Sequence, residues 1–292
     1  MCSLMFRCVM ATLRSWAPGG ADKPFPASAL RWSALLLVAA SWVSGAIFGA
    51  YILAFFGGTA WQGLAARWNE SLPALHDPAT PLATAAIGAH FVAGGILLLL
   101  GPVQLIGRLR RALPAVHRWL GRVYVLCAGA AGLGGLAFIL AKGTIGGPVM
   151  SGGFALYGLL MLVAAIATYR HARAGRTDRH RAWAIRLFAL TVGSWLYRME
   201  YGFWFMAVGR VGHSSDFSGW FDAIMCVFFY LPNLAVAELF IRARRPASRP
   251  ALSVAATPVL LAASAFVMVA TWFFTTRYWG PGMVSGFTGA RL

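Results

Sequence analysis

Long apolar runs separated by short polar breaks dominate this chain. Residues 33–56 carry no charged side chain, and neither do residues 81–107. Each run is long enough to cross a hydrocarbon core, which takes roughly 20 helical residues. The same pattern recurs at about 119–141, 153–169, 182–209, 220–241 and 251–276. It predicts seven transmembrane helices joined by short turns, an all-α polytopic integral membrane bundle over residues 30–276. Residues 1–29 mix short apolar pieces with Arg7, Arg14 and Lys23 and break at APGG and KPFP. They read as a tail, since no uninterrupted apolar core of a signal peptide is present. Residues 277–292 read as a second tail.

Composition agrees with a lipid solvent, because 59% of the residues are hydrophobic and 11% charged. The formal charge of +17 would point to nucleic acid if it formed one solvated face, but the basic residues sit in short clusters between apolar runs. Those clusters set a topology. With the N-terminus inside, the cytoplasmic segments hold four basic residues in the tail (Arg7, Arg14, Lys23, Arg31), five after the second helix, six after the fourth and four after the sixth. The other side holds only Arg67, Lys142, Arg210, Arg277 and Arg291. The bias places the N-terminus in the cytoplasm and the C-terminus outside. Cys2, Cys8, Cys127 and Cys226 show no CxxC or zinc-type spacing and are expected as free thiols.

The two central basic turns echo each other. One ends AVHRWLGRVY from Ala115, the other DRHRAWAIRLF from Asp178. Each has a His-Arg pair, a Trp and a further Arg five or six residues after the His. His117 and His180 are therefore equivalent, and helices 2-3 and 4-5 read as a parallel repeat of a hairpin. Together with His90, GPVQ at 101–104 and Arg198, these motifs resemble the bacterial membrane family known as domain of unknown function 2306. The resemblance covers about 82–209, departs at Ala184 where the family prefers methionine, and implies a multi-pass protein of the bacterial cytoplasmic membrane with no established activity. At the level of helices and histidines alone, the pattern is also similar to the cytochrome b561-like families.

His117, Arg118 and Arg122, and likewise His180, Arg181 and Arg186, fall at predicted helix N-termini, where the macrodipole disfavours cations. Anionic lipid headgroups and snorkelling arginines offset this in one reading. In the other, a bound anion does so: a phosphate, a quinone oxygen or a haem propionate. Histidines on membrane helices and the His117–Gly121 spacing fit a membrane redox protein holding b-type haem or quinone near the cytoplasmic face, with His117 and His180 as axial ligands and no other metal site. That pairing requires helices 3 and 5 to face one another. His90 and Arg198 each lie about 24 Å from the cytoplasmic end, so His90, Arg198 and Glu200 form a candidate polar cluster in the outer half. Such a cluster suits a small-solute transporter or channel, or a structural ion pair. Ala86, His90 and Gly94 share a face with room for a close helix or a flat ligand. A third reading is a non-catalytic assembly or lipid-binding role for the basic face. No Gly-rich phosphate loop, HExxH or Cys/His zinc signature supports a hydrolase or a nucleotide-driven machine.

Overall fold

A computed structural model describes residues 25–72, 75–244 and 250–290. The described residues form helices and turns without a strand. Proline opens several helices at a position whose N–H has no intrahelical partner, and each runs until the apolar sequence ends. The long helices are α1 (Phe25–Ile52), α2 (Pro81–Gln104), α3 (Pro114–Lys142), α4 (Gly147–Arg173) and α5 (Thr177–Val208). The sixth predicted span is broken into α6 (Trp220–Phe228) and α7 (Leu231–Ala243), with Pro232 at the restart, where it cannot continue the ladder of the preceding helix. The seventh is α8 (Pro250–Phe274), and a further helix, α9 (Gly280–Thr288), follows it.

Among the described residues, six helical segments are long and apolar enough to cross a membrane. The seventh long helix, α5, falls outside that group because Arg198 and Glu200 interrupt the stretch that follows the charged run from Asp178 to Arg186. Large apolar side chains such as Leu82, Leu126, Leu140 and Trp272 remain strongly exposed, which in water would be a liability and in a bilayer is a lipid-facing girdle.

Helices α2, α3, α4 and α5 pack in sequence and close through an α2–α5 contact, so α3 lies diagonal to α5. Between them sits a core of Leu97, Tyr124, Ala128, Met161, Leu187 and Leu190. Tyr124 donates to Thr191 at 3.0 Å while Thr191 donates to the Leu187 carbonyl, and Tyr157 donates to the Leu190 carbonyl. Each buried hydroxyl is therefore satisfied within hydrocarbon. On the other flank, α1 packs against α2 and α8 over a second core built from Phe48, Phe55, Trp195, Met199 and Trp279.

The C-terminal stretch from residue 277, expected as a tail, is helical and packed. A π-helical turn at Thr275–Trp279 swings the chain into α9, which lies on a second π-helical turn at Leu53–Gly57. Gln62 and Arg67 then hold α9 by its carbonyls, at 2.9 Å to Gly286 and 3.0 Å to Gly289. The same end carries the Lys142–Asp77 ion pair at 2.7 Å, which holds the Asp77 carboxyl below its usual range. The arginine-rich turns that follow α2 and α4 lie at the opposite end, with Arg242 and Arg244 at the close of α7.

Candidate functional site

Three groups of polar side chains stand out, two of them signalled by the sequence. The first lies at the arginine-rich end. Helices α3 and α5 begin at Pro114 and Thr177, so His117 and His180 occupy the same position, three residues inside their helices. Each turns Nδ1 toward the preceding helix. His180 donates to the Thr168 carbonyl at 3.0 Å. The Gln104 amide, in the orientation that satisfies both its ends, places its nitrogen 3.2 Å from His117 Nδ1 and its oxygen 3.3 Å from the Gly121 N–H. In that orientation His117 accepts at Nδ1, whereas His180 donates from its own Nδ1. The two imidazoles lie within electrostatic reach of each other, together with Arg110 and Arg118. The packed Tyr124–Thr191 layer separates them from the rest of the bundle.

The arginines of these turns diverge. Arg122 lies over the exposed Trp119 ring at 4.8 Å, away from the histidines. Arg186 is committed to Glu238 on α7 at 2.6 Å, and Arg242 shares that carboxylate at 3.0 Å. Arg181 instead approaches Arg110 and Arg244 closely enough for like charges to repel. A groove of about 710 Å³ opens there, walled by Arg179, Arg181, Arg186 and Arg244, with Trp183, His171 and the carboxylate of Asp178.

The second group is the predicted outer cluster, which the structure divides. His90 donates Nδ1–H to the Ala131 carbonyl at 2.8 Å. The small face around it is filled by α3 at Ala86 and His90, where a Cβ on Gly134 would come within 2.8 Å of the Ala86 carbonyl, and is open at Gly94. A close helix therefore occupies that space, as small-residue interfaces in lipid allow. Arg198 is within electrostatic reach of His90 and rests over the Phe48 ring at 5.5 Å, facing Tyr51 and Tyr197. The same-face residues Ser194 and Tyr201 are used elsewhere, on the Thr191 carbonyl and on Asp222. Glu200 turns to another face, where one carboxylate oxygen is buried without a hydrogen-bond partner among the described residues.

The third group was not recognised from sequence as a site. Asp222, fully buried near the start of α6, accepts from Tyr201 at 2.7 Å, His213 at 2.8 Å and the backbone N–H groups of Ser214 and Gly219 at 3.1 Å. Phe205 and Phe217 flank the His213 ring. The available signal was a membrane aspartate nine residues after His213, which fixes neither the fold of the intervening loop nor its partner. The carboxylate fastens the 209–219 loop to the bundle. Of the thiols, Cys127 and Cys226 are free, while Cys2 and Cys8 lie outside the described residues.

Fold and sites together define a polytopic all-α membrane protein with a strongly basic end and an arginine inside the bundle. Residues 87–241, more than half of the 292, match the family model described as "Predicted membrane protein (DUF2306)". The chain belongs to that family. The match extends beyond the motif-bearing α2–α5 through α6 and into α7. No curated protein and no solved structure matches the chain.

Proposed function

We propose that this protein is a non-catalytic membrane component that binds the phosphate headgroup of an anionic lipid at its arginine-rich end. The supporting observation is the groove between α4, α5 and α7, lined by four arginines, Arg179, Arg181, Arg186 and Arg244, and a single carboxylate residue, Asp178. Guanidinium groups suit phosphate through paired donors, and Trp183 supplies an amphipathic wall at headgroup depth. The distribution of Lys and Arg sets this end in the cytoplasm, so the ligand is a lipid of the inner leaflet of a bacterial cytoplasmic membrane. The test is affinity for phosphatidylglycerol against phosphatidylcholine, measured by native mass spectrometry on the detergent-purified chain. Basic residues near an anionic surface contribute about 1 kcal/mol each. The double substitution Arg181→Gln/Arg244→Gln is therefore expected to weaken phosphatidylglycerol binding roughly 30-fold. Arg122→Gln, outside the groove, should change it far less. Equal affinity for the two lipids, or a double variant that binds normally, defeats the proposal.

A second reading places a quinone at His117 and His180, and it is favoured by their complementary hydrogen-bonding states. His117 Nε2–H can donate to a quinone carbonyl, while His180 Nε2 can accept from a quinol hydroxyl. The pair suits b-type haem less well, since an axial histidine donates Nδ1–H to its outer partner; His180 does so, but His117 accepts there. Organic extraction of the purified protein should then recover quinone, and less of it from His180→Ala. A dithionite-reduced Soret band lost in both His117→Ala and His180→Ala, and retained in His90→Ala, would restore haem instead.

A further inference from the structure

Arg198 has no counter-charge among the described residues. Its guanidinium is always protonated, lies within a helix that packs against α1, α2, α4, α7 and α8, and makes no hydrogen bond or ion pair there. The groups that bear on it are the tyrosines Tyr51 and Tyr197, the Phe48 ring and His90. Every described carboxylate is engaged elsewhere or turned away. Glu70 holds Arg67, Asp77 holds Lys142, and Glu238 holds Arg186 and Arg242. Asp216 is bound by Ser214 and Ser218, Asp222 is saturated, and Asp178 lines the groove at the far end. Glu200 occupies a different face of α5 and does not bear on Arg198. Asp22 lies outside the described residues.

An unpaired cation in a membrane bundle marks a place where charge arrives from outside the chain. We infer that Arg198 anchors an intramembrane site for a monoanionic carboxylate with an apolar or aromatic body, between α1, α2 and α5. One fixed positive charge in a low-dielectric setting matches one negative charge, whereas a doubly charged phosphate would leave an excess. Stacking on Phe48 leaves the guanidinium edge free to bind a carboxylate through two parallel N–H bonds. Arg198 as a whole is partly buried. The Tyr51 hydroxyl, without a hydrogen-bond partner among the described residues, is a second donor. Phe48, backed by Trp279 at 5.3 Å, and the Tyr51 and Tyr197 rings form walls for the body of the ligand.

The test uses the full chain in an uncharged detergent, with benzoate, 4-phenylbutyrate, acetate and inorganic phosphate as probes, read by thermal midpoint and intrinsic fluorescence. Benzoate and phenylbutyrate are expected to raise the midpoint and change the fluorescence saturably, with acetate and phosphate at least tenfold weaker. Arg198→Met should weaken benzoate binding at least tenfold and Arg198→Lys by less. Tyr51→Phe, which keeps the charge and the ring, should weaken it severalfold, and it decides the matter if Arg198→Met does not fold. The proposal is overturned if benzoate produces no response, if phosphate binds as tightly, or if Arg198→Met and Tyr51→Phe bind like the parent.

Discussion

Replacing Asp222 with alanine is expected to destabilise the protein by about 3–5 kcal/mol, the range found when one partner of a buried, hydrogen-bonded charge network is removed. The carboxylate is fully buried and accepts four hydrogen bonds. Its loss strands the Tyr201 hydroxyl, the His213 ring N–H and two backbone donors, each costing about 1–3 kcal/mol if nothing replaces the acceptor. Partial entry of water from the loop side reduces the sum. Asp222→Asn keeps the shape and one acceptor oxygen but turns an amide N–H₂ toward donors, so roughly half the loss is expected. Denaturation midpoints would measure the total. Hydrogen exchange over 209–219 would rise first, because that loop is fastened to the bundle through this side chain. An alanine variant within about 1 kcal/mol of the parent would show that the network contributes little.

Gly286→Val is expected to cost roughly 3 kcal/mol or more by lifting α9 off the π-helical turn at Leu53–Gly57. A Cβ at Gly286 overlaps the Ala54 carbonyl and the Phe55 Cα, which are backbone atoms unable to swing away as a side chain could. The reciprocal contact is equally close, since a Cβ on Gly58 would stand 2.7 Å from the Gly286 carbonyl. Losing the seat should also release the Gln62 and Arg67 hydrogen bonds to α9. Faster hydrogen exchange across 280–288 and a lowered denaturation midpoint are the readouts. Gly57→Ala is the control, because nothing lies within 4 Å of a Cβ there and alanine favours a helix by about 1 kcal/mol. Equal effects of the two substitutions would refute the packing argument.

Much of the fold was legible because the bilayer imposes one strong rule: an uncharged stretch of about 20 residues becomes a helix. The predicted spans lie within or close to the long helices, with the ends extended where charged or polar turns continue the ladder. The fifth span, for example, was read from residue 182, and α5 begins at Thr177. The matching position of His117 and His180 near helix starts was also legible, since both stand three residues inside their helices. Less visible was the fate of the residues around them. Six side chains at the basic end looked alike in sequence, yet Arg186 is bound to Glu238, Arg122 lies over Trp119, and Arg181 joins Arg110 and Arg244. Arg110 and Arg244 drew no attention beyond their charge, because nothing in the linear pattern places the turn after α2 near the end of α7.

The outer cluster shows the same limit. Sequence placed His90 and Arg198 at similar depth, and they lie within electrostatic reach of each other. Spacing on α5 likewise separated Glu200 from Arg198, as two residues apart on a helix must be. It could not supply the neighbours Phe48 and Tyr51, which belong to α1.

By itself, then, the sequence determined the solvent of this protein, the approximate extents of its long helices, and the spacing of arginine in short clusters between them. These are local properties of hydropathy, charge and helical period. Tertiary structure alone decided that α3 stands diagonal to α5, that residues beyond 277 fold back as α9, that Asp222 fastens a loop, and that Arg198 faces aromatic rings without a carboxylate. In lipid an apolar helix gains no hydrophobic advantage from one neighbour over another, so its partners follow from close packing and individual hydrogen bonds. Those contacts are specified by three-dimensional fit between distant segments, which the pattern along the chain does not record.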